Sequence, residues 1–199
     1  MDSNIVTVQG ILENDMLFSH KQHGKKFYCN TISIMRQSGT VDSIPVIFPG
    51  YVINQRHNVK GKYVFIKGNY RSHNRTDEYG QKHLDLFIHA TDFYVVDYCC
   101  PSNDITLCGH VCSAPKYRQT PFCRNITDFI IATNRKHNKN DYAPCICWGR
   151  NAKFASHLKV GDYVELTGRI QSREYLKCYN GYNEIKTAYE ISVNRIQYV

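Results

Sequence analysis

All-β architecture in two tandem domains follows from three features of the sequence. The chain repeats itself: Ile5 to Gly10 (IVTVQG) returns as Asp104 to Gly109 (DITLCG), and Ile44 to Gly50 (IPVIFPG) returns as Ala143 to Gly149 (APCICWG), both 99 residues later. Val59 to Ser72 (VKGKYVFIKGNYRS) then returns as VGDYVELTGRIQS with the spacing lengthened by one. Ordered motifs at near-constant spacing mark a duplicated unit, and a period this long is a domain rather than a solenoid repeat. The second feature is apolar/polar alternation with period two, the pattern of half-buried strands. The third is β-type punctuation between the strands.

Taken in order, IVTVQG opens the first domain as a strand, Gly24 among lysines makes a hairpin tip, and Ser38 to Thr40 (SGT) makes another. IPVIFPG and the Val59 to Ser72 run supply further strands, followed by a basic loop from Arg71 to Lys82 as a third hairpin tip. Asp97 to Asp104 (DYCCPSND), with its proline and clustered polar residues, reads as the connector, giving domains of residues 1–98 and 104–199. In the second domain DITLCG, Thr127 to Arg135 (TDFIIATNR), Pro144 to Ala152 (PCICWGRNA), Tyr163 to Tyr175 and Lys186 to Ile196 are the strand-bearing segments, with Tyr179 to Asn183 (YNGYN) as a tip. Cys145 and Cys147 alternate with Ile146 and Trp148, so the thiols point together to the side away from the tryptophan and act as small apolar groups.

At 199 residues the chain can bury one large or two small cores. A net charge of +8 and a pI near 9.0 favour a polyanionic partner. No apolar stretch is long enough to span a bilayer, and MDSNIVTVQG lacks the basic and apolar regions of a signal peptide, so a cytoplasmic protein without a membrane partner is expected. Nine cysteines, an odd count without an export signal, argue for reduced thiols.

The run Tyr163 to Tyr175 carries the strongest functional signal. Tyr163, Glu165, Thr167, Arg169, Gln171, Arg173 and Tyr175 share one face, while Val164, Leu166, Gly168 and Ile170 share the other. Arginines that neutralise phosphates beside a ring on which a base can stack suit a single strand of nucleic acid. A half-buried strand with a solvated polar face is the alternative from this segment alone.

The ordered set TDFIIATNR, PCICWGRNA, GDYVELTGRIQSREY and KTAYEISVNRI resembles the bacterial single-stranded DNA-binding protein family, including its primosomal protein N branch, over about residues 104–199. The resemblance implies OB-folds: two tandem barrels, each five-stranded with at most a short helix, here Ala152 to Leu158 before the fourth strand. It also implies sequence-independent coating and protection of single-stranded DNA in replication, recombination or repair. Tyr142 and Trp148, near the two ends of the third strand and on one face, match positions where the family presents stacking rings. Tyr175 in the fourth-strand hairpin and His137 in the NRKHNKN loop match two more. Trp148 in the barrel core is the competing placement.

Phosphate contacts fall to Arg135, Lys136 and Lys139 in that loop, Arg150 and Lys153 at the helix start, and Arg169, Arg173 and Lys177 along the fourth strand. Three elements then have to converge on one groove, as the family fold requires. In the first domain Lys67, Arg71 and Arg75 are possible contacts. Lys67 and Arg71 stand where the second has Thr167 and Gln171, and Pro49 stands where it has Trp148. Up to Cys99 the charge balance is +2 and beyond it +6, so the first domain reads as a diverged copy that binds weakly or serves assembly.

Two rival functions remain open at this point. One is a primosomal-type interaction factor with replication proteins as partners. The chain ends in strand-like ISVNRIQYV, whereas many family members end in an acidic recruiting tail. The other is a zinc-dependent enzyme using Cys108, His110 and Cys112, which alternate along one strand, although C-x2-C pairing is lacking. No nucleophile and base pair, phosphate-cradling glycine loop or carboxylate cluster stands out, so no enzyme, cofactor or metal is expected. The mildly polar outer face of the first strand (Thr7, Gln9 and Ile11; Thr106, Cys108, His110 and Cys112) predicts a homodimer with four OB domains, unless the two halves pair internally.

Overall fold

The computed structural model describes residues 4–199 apart from 55, 79, 99, 136–138, 180 and 181, and also leaves out the side chains of Lys177, Tyr179, Tyr182 and Asn183. In the first half β1 (Asn4–Leu12), β3 (Lys25–Met35), β4 (Val41–Pro49), β5 (Tyr63–Thr76) and β6 (Lys82–Val95) form a barrel with a one-turn α1 (Gly50–Ile53), and β2 (Leu17–Gln22) pairs along the outside of β3. The second half repeats this with β7 (Ser102–Val111), β8 (Lys116–Gln119), β9 (Asn125–Arg135), β10 (Lys139–Trp148), α2 (Gly149–Ala155), β11 (Tyr163–Tyr179) and β12 (Tyr182–Tyr198). Each half is thus the expected five-stranded OB barrel plus one exposed strand, β2 or β8. Pairing of β1 with β3 and of β7 with β9 closes the barrels.

Alternation dictates the cores. Along β1 and β7 every second side chain is buried up to Gly10 and Gly109: Val6 and Val8 in one barrel, Ile105 and Leu107 in the other. Phe48 and Phe93 meet edge to face at 5.2 Å in the first core, a geometry worth about 0.5–1.5 kcal/mol beyond area burial. Cys145 and Cys147 are buried, on the side of β10 opposite Trp148.

The halves join through their first strands. β1 pairs antiparallel with β7, Val6 opposite Ile105, and the twelve strands of the described residues form one continuous sheet. Because residues 99 apart are equivalent, Val6 and Ile105 are each other's counterpart and a local two-fold passes between them. The edge left for a second chain is therefore satisfied within the chain, although Ile11 on β1 and Tyr163 on β11, next to β7, stay accessible, both 38% exposed.

Two local expectations change. The helix begins at Gly149, three residues before the expected Ala152, where a φ of +55 turns the chain out of the strand; its regular turns end at Ala155, and Leu158 is held by a hydrogen bond to the Ala155 carbonyl. The basic loop from Arg71 to Lys82 is mostly hairpin: β5 runs to Thr76 and β6 begins at Lys82, with Arg75 opposite His83. This hairpin is polar on both faces, which in sequence looks like a loop.

Candidate nucleic-acid interface

Strand β10 places the two expected rings. Tyr142 is half-buried and Trp148 is 38% exposed, which puts the indole on the surface and not in the core. Trp148 lies in register with Ile126 of β9 and borders a groove of about 580 Å³ that runs over β8, β9 and β10 to the middle of β11 and β12. Arg173 and Gln171 line its far side, Lys116 and Arg118 its near side, and Pro144 and Ile146 its floor. Two carboxylates also reach it. Asp128 accepts from Arg118 Nε at 2.8 Å, and Glu190 accepts from Gln171 Nε2 at 2.7 Å and lies 4.0 Å from Arg173. The groove can thus offer an apolar floor, one indole and cations partly offset by carboxylates.

The other expected residues divide. Tyr175 is 38% exposed on the β11–β12 hairpin, in register with Lys186. Lys139 at the start of β10 and Arg150 and Lys153 on α2 are exposed, but none of them lines the groove with Trp148. Arg169 lines a separate cavity of about 680 Å³ beside Arg36, Asp42 and Asn103. Among the described residues, Arg173 is the expected cation that lines the groove with Trp148. Arg169 lies among the first-half residues Arg36 and Asp42, whereas Arg173 lines the groove with Trp148. Lys136, His137 and the Lys177 side chain lie outside the described residues.

Several arginines are already engaged by carboxylates. Arg71 Nη1 donates to Asp141 Oδ2 at 2.7 Å, Arg135 Nη1 lies 3.5 Å from Asp141 Oδ1, and Arg75 pairs with Asp85 at 3.0 Å. Lys67 is exposed on β5. Lys116 and Arg118 were not singled out in the sequence, and their signal is the basic alternation in KYRQ on β8.

Among the described residues no group of three His, Cys, Asp or Glu could hold a metal ion. Cys108 Sγ lies 3.9 Å from Glu165 Oε1, and His110 packs on Tyr163 at 4.7 Å. Burial, with the charge of Glu165, pushes the Cys108 thiol up. Burial pushes Cys147 up to about 12. Among the described residues no helix is long and apolar enough to cross a membrane.

Comparison with known proteins gives a consistent picture. Residues 102–199 match the model of the Single-strand binding protein family. Single-stranded DNA-binding proteins of Clostridium tetani and Lactococcus lactis are 30% and 34% identical over 80 residues, covering 37% of this chain and 55% and 53% of theirs. The chain spans about half the length of these relatives. The crystal structure of the single-stranded DNA binding protein from Thermus aquaticus superposes with a TM-score of 0.80 at 17% identity, over 98% of this chain and 92% of that one. That likeness extends the fold match to both halves.

Proposed function

Because residues 102–199 belong to the single-strand binding protein family, we propose that this chain binds and coats single-stranded DNA without sequence preference and performs no chemistry on it. The observation that carries this reading is the groove in which an exposed Trp148 faces Arg173 across an apolar floor. Ring faces accept any base, and cations on two walls follow the backbone. Tyr142 and Tyr175 extend the ring surface, and Lys139, Arg150 and Lys153 supply peripheral charge. Protection of exposed strands in replication, recombination or repair, in the cytoplasm, is the matching role.

Assembly belongs to the same reading. Internal pairing of β1 with β7 takes the edge on which the sequence predicts a dimer, so the homodimer of four barrels proposed here runs instead through Tyr63, Tyr94 and Tyr163 on β5, β6 and β11, at 42%, 54% and 38% exposure. Light scattering should give twice 23.1 kDa; a mass near 23.1 kDa would refute the dimer. The binding function is tested by anisotropy competition between a labelled oligothymidylate and unlabelled duplex. Single strands should compete far better, and equal competition at moderate salt contradicts the proposal.

A further inference from the structure

Equivalent strand positions carry opposite chemistry on the two halves. On the second half Asp128, opposite Ile146, and Glu190, opposite Gln171, bring carboxylates to the groove. Their counterparts are Cys29, opposite Ile47, and Phe87, opposite Arg71. Where Arg118 sits opposite Ile126, the first half sets His20 opposite Phe27. Both carboxylates are thus replaced by apolar groups, and a ring pair stands where the other half has an arginine and an isoleucine.

That ring pair is already stacked. His20 and Phe27 lie parallel, centroids 4.8 Å apart and planes 5° from coplanar, and Phe27 meets the His89 ring at 6.3 Å. His20 is exposed, while Phe27 and His89 are half-buried. Burial, with Arg71 nearby, holds His89 below the ordinary imidazole range, so a neutral ring is presented at pH 7. On β3 the exposed Lys25 stands two residues before Phe27 and so on the same face, while Lys21 and Lys26, in cross-strand register, point to the other.

We propose that His20, Phe27, His89 and Phe87 form a second base-stacking platform, by which the first half holds single-stranded nucleic acid in its own right. This rests on the reading of the chain as a strand-binding protein. Single-stranded nucleic acid is the occupant the face fits, because a base laid on the open side of His20 continues an existing parallel stack and the exposed Lys25 on the same face suits its phosphates. The smaller net charge of this half is no obstacle, since its platform carries no counterpart to Asp128 or Glu190. The rings sit on β2, β3 and β6 rather than at the positions matching Tyr142, Trp148 and Tyr175.

The test uses the full chain and oligothymidylates of two lengths, one fitting a single barrel (about 4–16 nucleotides) and one spanning both. Phe27→Leu and His20→Ala should weaken the long oligomer by about ten-fold and shorten the occluded length. Photo-cross-linking should label the peptide containing Phe27. His20 is exposed, so His20→Ala remains informative should Phe27→Leu alter folding. Wild-type binding with unchanged affinity and occluded length in both variants, and no cross-link to β2 or β3, overturns the inference alone. Capture of a protein by this face without such cross-links does the same. Failure of the wild-type chain to bind any single strand overturns the functional reading and this inference together.

Discussion

Arg71 of the first half reaches Asp141 of the second at 2.7 Å, and the backbone N–H of Ser72 donates to the same carboxylate at 2.9 Å. The arrangement recurs about the local two-fold. Asp42 accepts from the N–H of Ser172 at 2.8 Å while held by Arg36 Nε at 2.7 Å. Ser72 and Ser172 complete the pair by accepting from the N–H groups of Tyr142 and Ser43 at 2.8 and 3.1 Å. Two buried carboxylates, each fed by the opposite half, lock the barrels together.

Asp141→Ala should lower stability by about 1–3 kcal/mol, because it orphans the Ser72 N–H and two guanidinium contacts. Asp141→Asn keeps one acceptor and should cost less. Urea unfolding with an unchanged slope checks both, and indifference to Asp141→Ala would show that the latch contributes nothing.

At Gly10 and Gly109 two strands approach too closely for a side chain. A Cβ there would meet the carbonyl oxygens of Ser33 and Ala132. Gly109→Ala and Gly10→Ala should each destabilise by about 1–3 kcal/mol through forced strand separation, read as a lowered thermal midpoint.

Trp148→Ala should weaken strand binding by about 1–3 kcal/mol while leaving thermal unfolding nearly unchanged, since the ring is partly in solvent. Arg173→Ala should weaken all sequences alike and flatten the salt dependence, whose slope is about −0.7 per neutralised phosphate. Loss of folding in Trp148→Ala with normal binding in Trp148→Phe would assign the indole to packing.

Thiol chemistry follows burial. Cys145 and Cys147 have thiol pKa values pushed upward by desolvation, so near pH 8 they stay protonated and enclosed. A thiol reagent should label the exposed Cys100 and Cys123 in the native state and reach Cys145 and Cys147 only on unfolding. Rapid native labelling of Cys147 would contradict the placement of that strand face.

The sequence carried the repeat, the barrel class and the outward row of β10, because strand alternation and a duplicated order are local signals. The alternation that set Trp148 against Cys145 and Cys147 was enough to put the indole outside. What escaped was tertiary. Asp128 and Glu190 enter the groove from strands that do not read as binding segments, and Arg169 and Arg173 part company because the first half brings Arg36 and Asp42 beside the former, a contact that a period of two does not encode. The His20–Phe27 stack depends on the register of β2 with β3, and the irregularity between Phe18 and His20 in that pairing has no signature in LFSHKQ.

Trp148 is the chain's single tryptophan and borders the groove, so its emission reports directly on strand occupancy. Titration with oligothymidylate should quench it saturably, and a duplex of the same length at the same salt should leave it nearly unchanged. Saturable binding of single strands with no change in Trp148 emission would contradict the placement of the strand in this groove, and equal quenching by duplex would contradict the preference for single strands.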